Sequence, residues 1–256
     1  MLTAAQRIHF DVNGYVLLKK VYSISECDQF ISISDRMRDE EDLLNPQIEK
    51  EGMTVLFGTA FYDRHMLDTM MSERLRTPAE EILGGESRLE ENQLIIFHCN
   101  KGNSAVSESA PPSDGWHRGL NPDFGSFESE GHYHCLLPKM LIYLTDNGAG
   151  AGTWVVPGSH RMTISTKEIS DILDDSLVRY VPAEQGDVLL FGETLVHSSP
   201  KLHLKEERYL MVFAYAAHFM RPWSTSVDPP EGFEEGLTDE QRRFVYGEKR
   251  YSYRPR

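Results

Sequence analysis

Residues 186–199 read GDVLLFGETLVHSS, and this stretch decides the expected fold class. A short apolar run lies between the turn signals Gly186 and Gly192, and a histidine, His197, follows soon after. Short apolar runs bounded by turn residues are typical of buried strands rather than of long helices. The stretch therefore predicts a buried strand with a polar group just beyond its end.

Other runs of the same kind follow residue 88. They lie at residues 94–97, 140–144, 154–156 and 210–213, each between turn signals. Many short strands after a few helices are typical of a jelly roll backed by helices. The expected fold class is mainly β with supporting α, a double-stranded β-helix of the cupin-like, jelly-roll type.

Helical signals dominate the first third of the chain. Residues 3–13 suit a short helix and residues 15–19 a strand, and Ser23 with Glu26 forms a capping-box pattern for a helix through about Arg38. Apolar positions also recur at helical spacing over residues 63–83. We expect Pro78 to kink or break that helix, and the Gly-Gly pair at residues 84–85 to end it.

The chain is expected to form one domain over residues 1–256. Helical support covers about residues 1–85, the barrel about 86–219 and a polar tail 220–256, in which Thr238 and Gln241 suit one helix cap. Between these parts, residues 101–115 and 121–131 are rich in loop-forming residues. We interpret both segments as mobile loops and candidate active-site lids.

Composition excludes several classes of function. With 256 residues, of which 40% are hydrophobic, the chain can bury a sizeable core. The formal net charge of −14 disfavours nucleic acid polymers and acidic membranes as partners. Three scattered cysteines form no disulfide framework, and no apolar run approaches the length of a signal or membrane segment. These features favour a cytoplasmic location.

Residues 115–119 read GWHRG and indicate an altered metal site. Non-haem Fe(II) oxygenases hold iron with two histidines and one carboxylate on one face of the metal. A His-x-Asp motif beginning at His117 would place that carboxylate at residue 119, where the chain has glycine. Gly119 supplies no ligand, so it would leave an additional position open for a small anion such as chloride.

Two further residues have the spacing of a metal ligand and an anchor for a dicarboxylate. His197 lies 80 residues beyond His117, and Arg208 follows eleven residues later at the start of an apolar run. The guanidinium group of arginine offers a rigid two-pronged donor that matches a carboxylate.

In the order of these motifs the chain resembles the phytanoyl-CoA dioxygenase family of Fe(II)- and 2-oxoglutarate-dependent enzymes. The similarity extends over most of the chain, from an opening helix-to-strand element at residues 10–18, through the Pro-Gly-Ser-His turn at residues 157–160, to a closing helix near residues 237–243. It implies Fe(II), 2-oxoglutarate and O2 as cofactor and co-substrates.

The resemblance also implies roles for individual residues. His117 and His197 would be the metal ligands, and Arg208 would bind the distal carboxylate of 2-oxoglutarate. Ser199 and Thr153 would help to hold the same co-substrate.

Gly119 is the departure from the family pattern. Within this superfamily, loss of the carboxylate is the mark of the iron halogenases, so the resemblance implies that Gly119 is the catalytic, halide-binding position for chloride or bromide. The expected activity is halogenation of an unactivated aliphatic carbon of a freestanding small molecule in specialised metabolism.

Two alternatives remain open for residue 119. Another side chain could replace the carboxylate and restore a hydroxylase or other oxygenase, or the site could have decayed into a non-catalytic small-molecule binder. The candidate replacements are Asp114, Asp123, Glu128, His132 and His134.

The candidate substrate contacts surround the first histidine. They are Trp116, Arg118, Phe124 and His134. Lys101 and Arg118 could attract an anionic small molecule such as a nucleotide or amino acid, although Arg118 alternates with the site positions on an extended segment and is expected to point away. The modest size and acidic surface favour a free substrate over one tethered to a carrier protein, although a carrier protein is possible.

Overall fold

The structure, a computed structural model, describes most of the chain. The described residues are 1–40, 47–50 (backbone only), 52–98, 111–112, 115–145, 152–163, 165, 176–199, 206–223 and 228–247. Within these ranges, none of the helices has the length and apolar character needed to cross a membrane.

Most helices lie before residue 84, and most strands lie after residue 86. The helices are α1 (Ala4–Asn13), α2 (Ile24–Arg38), α3 (Thr59–Tyr62), α4 (Arg64–Met71), α5 (Arg76–Leu83), α6 (Pro122–Gly125) and α7 (Asp239–Tyr246). The strands are β1 (Tyr15–Leu18), β2 (Gln47–Lys50), β3 (Met53–Phe57), β4 (Ser87–Phe97), β5 (Ser126–Ser129), β6 (His132–Cys135), β7 (Pro138–Tyr143), β8 (Thr153–Val155), β9 (Arg179–Val181), β10 (Val188–Gly192), β11 (His197–Ser198) and β12 (Arg208–Ala217).

Capping boxes explain where three helices begin. In each box a Ser or Thr hydroxyl accepts a hydrogen bond from the backbone N–H of the residue three positions on. The side chain of that residue accepts a bond from the backbone N–H of the Ser or Thr. The pairs are Thr3 with Gln6, Ser23 with Glu26, and Thr238 with Gln241. The caps predicted at Ser23 and Thr238 are therefore confirmed.

The helical segment at residues 63–83 breaks earlier than expected. It forms α4 and α5, with Ser72 in an extended conformation after α4. Pro78 is the third residue of α5 and does not interrupt it, so the predicted break at Pro78 is wrong. The first N–H groups of a helix have no partner within the helix, so a proline in the first turn removes nothing.

Two other segments also differ from expectation. Strands β2 and β3 lie within the part expected to be helical and pair with each other at one side of the large sheet. Residues 121–131, predicted to be a mobile loop, instead form α6 and the start of the β5–β6 hairpin, which turns at Glu130 and Gly131. The other predicted loop, residues 101–115, lies almost entirely outside the described residues.

The strands form two main antiparallel sheets. The larger has the order β1-β10-β7-β12-β4-β3-β2, and the smaller has the order β11-β8-β9. A two-stranded sheet, β5-β6, completes the arrangement. The predicted fold class, a mainly β jelly roll with supporting helices, is confirmed.

The large sheet has one face toward the helices and one toward the small sheet. Along β12, Tyr209, Met211 and Phe213 belong to the core shared with the helices. Leu210 and Val212 alternate with them and pack with Val155 and Val181 of the small sheet. Arg208 has the same parity as Leu210, so it lies on the face toward the small sheet.

A close backbone approach fixes the start of β10. Gly186 has φ of +87° and donates a 2.8 Å hydrogen bond to the carbonyl of Tyr143. A Cβ atom at this position would lie 2.1 Å from the carbonyl oxygen of Tyr22. The buried Asp187 side chain then accepts from the backbone N–H groups of Lys20 and Glu184. The stretch that leads to His197 is therefore anchored at its first residue.

We expect Gly186→Ala to destabilise the fold more than a matched glycine change in a turn. Gly131 has φ of +81°, but a Cβ atom there meets nothing within 4 Å. Gly131→Ala should cost about 1 kcal/mol for the left-handed backbone alone. Gly186→Ala should cost about 2 kcal/mol more, because its Cβ also collides with backbone that cannot move cheaply. Urea unfolding of both variants measures the difference, and equal losses would contradict the proposed clash.

Candidate active site

Two backbone hydrogen bonds join the histidines predicted to be metal ligands. The His117 N–H donates to the His197 carbonyl over 3.0 Å, and the His197 N–H donates to the His117 carbonyl over 2.9 Å. Strand β11 pairs in turn with β8, where His197 lies opposite Val155. The two imidazole ring centroids are 4.2 Å apart. The fold thus brings together side chains that are far apart in sequence.

Each imidazole is oriented by a nearby carbonyl group. The Nδ1 atom of His117 lies 2.9 Å from the carbonyl oxygen of Gly115, and that of His197 lies 3.0 Å from the carbonyl oxygen of Leu195. A carbonyl oxygen can only accept, so the Nδ1 atom of each ring is the donor in this contact and carries a proton. The Nε2 atoms then have the lone pairs that a metal needs. Sequence reasoning could not name these carbonyl partners.

The two histidines differ in exposure. His117 is exposed, whereas His197 is buried. Burial, and to a lesser extent the neighbouring His117, lower the pKa of His197 to about 4 against an opposing effect of Glu193. His197 is therefore neutral near pH 7, which is the form that binds metal ions.

The space beside Gly119 is filled by two other side chains. A Cβ atom at residue 119 would lie 2.2 Å from Oε2 of Glu193 and 2.7 Å from a ring carbon of Trp223. The backbone N–H groups of Gly119 and Leu120 both donate to the carbonyl of Glu193, over 2.9 and 3.0 Å. The Glu193 carboxylate thus lies where a side chain at residue 119 would begin.

Glu193 belongs to a buried group of three charges. Lys139, on β7, places its Nζ atom 2.6 Å from Oε1 of Glu193 and 2.9 Å from Oε2 of Glu91. Burial raises the pKa of Glu193, but Lys139 and the two histidines more than offset this, so the pKa lies below its ordinary value. Burial lowers the pKa of Lys139, and the two carboxylates raise it by more. Both groups are therefore charged near pH 7.

Glu193, Lys139 and Glu91 were missed by the sequence analysis. One signal was available, because Glu193 is a charged residue within the otherwise largely apolar stretch at residues 186–199. Its partner Lys139 has no comparable signal in the sequence. The pairing of β10 with β7, in which Phe191 lies opposite Lys139, brings the two charges together.

Arg208 lies in an aromatic environment between the two sheets. It is 1% exposed, and its guanidinium carbon is 5.0 Å from the ring centroid of Phe97 and 5.5 Å from that of Tyr143. Burial lowers the pKa of Arg208, although Tyr143 and Tyr180 each raise it by a smaller amount. A buried cation of this kind is suited to an anionic ligand, because charge pairs interact strongly where water is excluded.

Thr153 shares a neighbour with Arg208. The hydroxyl groups of Thr153 and Tyr143 are 2.8 Å apart, and both side chains are buried. Burial raises the pKa of Tyr143 to about 12, despite opposing effects of Arg208 and Thr153, so its hydroxyl stays protonated. Ser199, the other residue expected here, is exposed, and its carbonyl accepts a 3.4 Å hydrogen bond from the Ser198 hydroxyl.

The candidate substrate residues nearest to His117 are engaged by the scaffold. Trp116 packs with Trp154 and Val196, and its indole N–H donates to the carbonyl of Pro112. Arg118 donates to the carbonyls of the turn at residues 159–162, with its shortest bond, 2.8 Å, to Met162. This direction agrees with the expectation that Arg118 points away from the positions on either side of it.

The other two candidate substrate residues lie in or beside the β5–β6 hairpin. Phe124 is 73% exposed. The ring of His134 stacks on Phe127 at 4.8 Å, and its Nδ1 atom lies 3.2 Å from the carbonyl oxygen of Ile82. Neither residue has a described contact with the histidine pair.

The sequence alternatives for a third metal ligand have other partners. Asp123 accepts a hydrogen bond from Thr163, Glu128 forms an ion pair with Arg161, and His132 lies 2.7 Å from Asp11. Asp114 lies outside the described residues. Among the residues that the structure describes, no three or more His, Cys, Asp or Glu side chains are grouped to hold a metal ion.

Several solved structures share the fold. HygX from Streptomyces hygroscopicus, with nickel and 2-oxoglutarate bound, matches with a TM-score of 0.68 and 20% identity, covering 87% of this chain and 90% of that chain. EctD from S. alaskensis with bound Fe matches with a TM-score of 0.66 and 19% identity, covering 87% of this chain and 82% of that chain. The epimerase SnoN, in complex with Fe3+, alpha ketoglutarate and nogalamycin RO, matches with a TM-score of 0.62 and 17% identity, covering 88% and 92%.

The family follows from the sequence rather than from these fold likenesses. No curated protein matches the chain. A family model for phytanoyl-CoA dioxygenase (PhyH) matches residues 10–203, which is well over half of the 256 residues. The order of motifs and the jelly-roll architecture agree with this match, and the chain belongs to the phytanoyl-CoA dioxygenase family.

Proposed function

We propose that the protein is an Fe(II)- and 2-oxoglutarate-dependent halogenase that places chlorine or bromine on an unactivated aliphatic carbon of a free small molecule. One observation carries the proposal. Gly119, which offers no ligand, lies two residues beyond His117 at the position where the family motif has a carboxylate. The paired histidines are present, with His117 two residues from this position, and Arg208 is buried between the two sheets.

The residues present fit the implied metal. His117 and His197 would hold it through their Nε2 atoms, because a carbonyl group accepts from Nδ1 of each ring. When bound, Fe(II) with 2-oxoglutarate and O2 supplies the oxidising power to break an unactivated C–H bond, and a bound halide supplies the atom that is transferred. The protein supplies orientation, exclusion of water and, at residue 119, a backbone position without a ligand of its own.

Arg208 and Thr153 would bind the co-substrate. The Arg208 guanidinium can pair with the distal carboxylate in two parallel hydrogen bonds, and the rings of Phe97 and Tyr143 keep water away from that pair. Thr153, linked to the Tyr143 hydroxyl, would add a hydroxyl group to the same carboxylate site. Ser199 is a weaker member of this proposal because its side chain is exposed.

Two neighbours in fold support a small-molecule substrate. HygX has been solved with hygromycin B bound, and SnoN with nogalamycin RO. Both ligands are free small molecules rather than polymers. We extend that substrate class to this chain, in keeping with its net charge of −14 and the absence of a basic block in the sequence.

A second candidate function rests on Glu193. Its carboxylate lies against Gly119 and could replace the missing ligand, which would make the protein an oxygenase with its carboxylate supplied from another segment. The two functions differ in their response to halide. A halogenase must bind chloride at or beside the metal, whereas an oxygenase with a complete set of protein ligands need not.

The first test of the proposed function is a chloride titration that needs no substrate. Protein loaded with Fe(II) and 2-oxoglutarate without oxygen should show the visible metal-to-ketoacid charge-transfer band. We expect this band to shift saturably with chloride. A band that is indifferent to chloride would favour the oxygenase, and no band would favour a binding protein without the metal.

Gly119→Asp should abolish the chloride response while retaining the charge-transfer band. The new carboxylate would take the open position, although Glu193 must first move because it occupies the volume of the added Cβ atom. Gly119→Ala is the matched control, since it adds the same Cβ atom without a ligand, and it should keep a saturable response. A chloride response of wild-type size in Gly119→Asp would rule out the open-position argument.

Arg208→Lys should weaken 2-oxoglutarate binding about tenfold or more, because lysine keeps the charge but loses the two-pronged geometry. The Kd follows from the charge-transfer band during titration with 2-oxoglutarate. Arg88→Lys is the control, because Arg88 is similarly buried in β4, where it forms an ion pair with Glu90. The control should lower stability without changing this Kd, and an unchanged Kd in Arg208→Lys would remove Arg208 from the co-substrate site.

A further inference from the structure

The position beside Gly119 already contains an anionic group. Oε2 of Glu193 lies 2.2 Å from the point where a Cβ atom of residue 119 would be. In the proposed halogenase, the halide takes the place of the carboxylate that residue 119 lacks. The halide and the Glu193 carboxylate would therefore occupy the same small volume.

The surroundings of this volume suit a negative charge. Lys139 lies 2.6 Å from the other oxygen of the same carboxylate, so a positive charge borders this volume. Its ammonium group would stabilise either a carboxylate oxygen or a halide.

Only the side chain of Glu193 can vacate the position. Its carbonyl accepts from the N–H groups of Gly119 and Leu120, and its own N–H donates to the carbonyl of Leu137 over 3.0 Å. These bonds fix the backbone of Glu193 on both sides of its Cα atom. Exchange of the two anions must therefore proceed by rotation of the Glu193 side chain.

Two anions cannot share this volume. Like charges at contact distance repel strongly where burial excludes water, and Glu193 is only 2% exposed. Lys139 is also paired with Glu91, so the lysine keeps one carboxylate partner when Glu193 turns away from Gly119.

We propose that Glu193 is an internal competitor of the halide and sets how much halide the site requires. With no halide, its carboxylate occupies the position beside Gly119; with halide bound, the side chain has rotated away. The inference rests on the proposed halogenase function and adds a specificity-determining residue to it.

Removing this competitor should tighten halide binding. Glu193→Gln keeps the size of the side chain and removes its charge, so the chloride Kd should fall about fivefold or more. Glu193→Asp keeps the charge beside Lys139 but withdraws it from Gly119 by one methylene, so the Kd should also fall, by a smaller factor. Glu91→Gln is the matched control, because it removes the other carboxylate on Lys139 and should change the Kd by less than about twofold.

The measurement is the chloride titration of the charge-transfer band in protein loaded with Fe(II) and 2-oxoglutarate. Tighter chloride binding in both Glu193 variants, but not in Glu91→Gln, would support the inference. If Glu193→Gln fails to fold, Glu193→Asp decides, since it leaves the buried lysine with both of its charged partners.

Two results would overturn the inference, and they differ in what they mean for the proposed function. An unchanged chloride Kd in the Glu193 variants, with a normal wild-type response, would show that Glu193 does not compete with halide. Loss of Fe(II) binding in Glu193→Gln but not in Glu91→Gln would make Glu193 a metal ligand and favour the oxygenase. If neither the wild type nor any variant responds to chloride, the halogenase function itself fails.

Discussion

The reciprocal backbone bridge between His117 and His197 is the constraint on which the site depends. Two hydrogen bonds of 3.0 and 2.9 Å join the two residues, and a separate backbone bond runs from the Gly119 N–H to the carbonyl of Glu193. Ring orientation, the depth of His197 and the filling of the space beside Gly119 all follow from this alignment. Because the bonds involve only main-chain atoms, the site geometry is largely independent of the side chains that it presents.

Charge burial is the main energetic demand on this architecture. Lys139, Glu193 and Glu91 lie together on the side of the sheet that faces the site, and Arg208 lies deeper among aromatic rings. Burying ions costs several kcal/mol each before their mutual attraction is counted, and hydrophobic replacements of such groups are often no less stable. Stability alone is therefore a weak reason for their presence. A role for Glu193, Lys139 and Arg208 in positioning anions at the site gives a direct reason for their presence there.

Much of the fold was predictable because its determinants are local. The apolar run at residues 188–191 lies within β10, and the capping pairs at Ser23 and Thr238 begin helices as expected. The histidines and Arg208 were identifiable as candidates from type and spacing. The predicted break at Pro78 was wrong because a proline in the first turn of a helix does not disrupt it. Whether a proline lies in the first turn depends on where the helix begins.

The parts that sequence could not provide depend on strand register. Glu193 reaches Lys139 only because β10 and β7 pair with Phe191 opposite Lys139, and no periodic pattern encodes that alignment. The carbonyl partners of the two imidazoles depend on local backbone direction in the same way. The candidate ligands could thus be identified one by one from the sequence. The charged group formed by Glu193 and Lys139 could not.

The absence of free space at residue 119 also has an evolutionary consequence. A protein that changed this glycine back to aspartate would place the new side chain against a carboxylate and an indole ring. Residues 119 and 193 are therefore expected to form an epistatic pair, in which the effect of a substitution at one position depends on the side chain at the other. A side chain at residue 119 is accommodated most easily when residue 193 is changed as well.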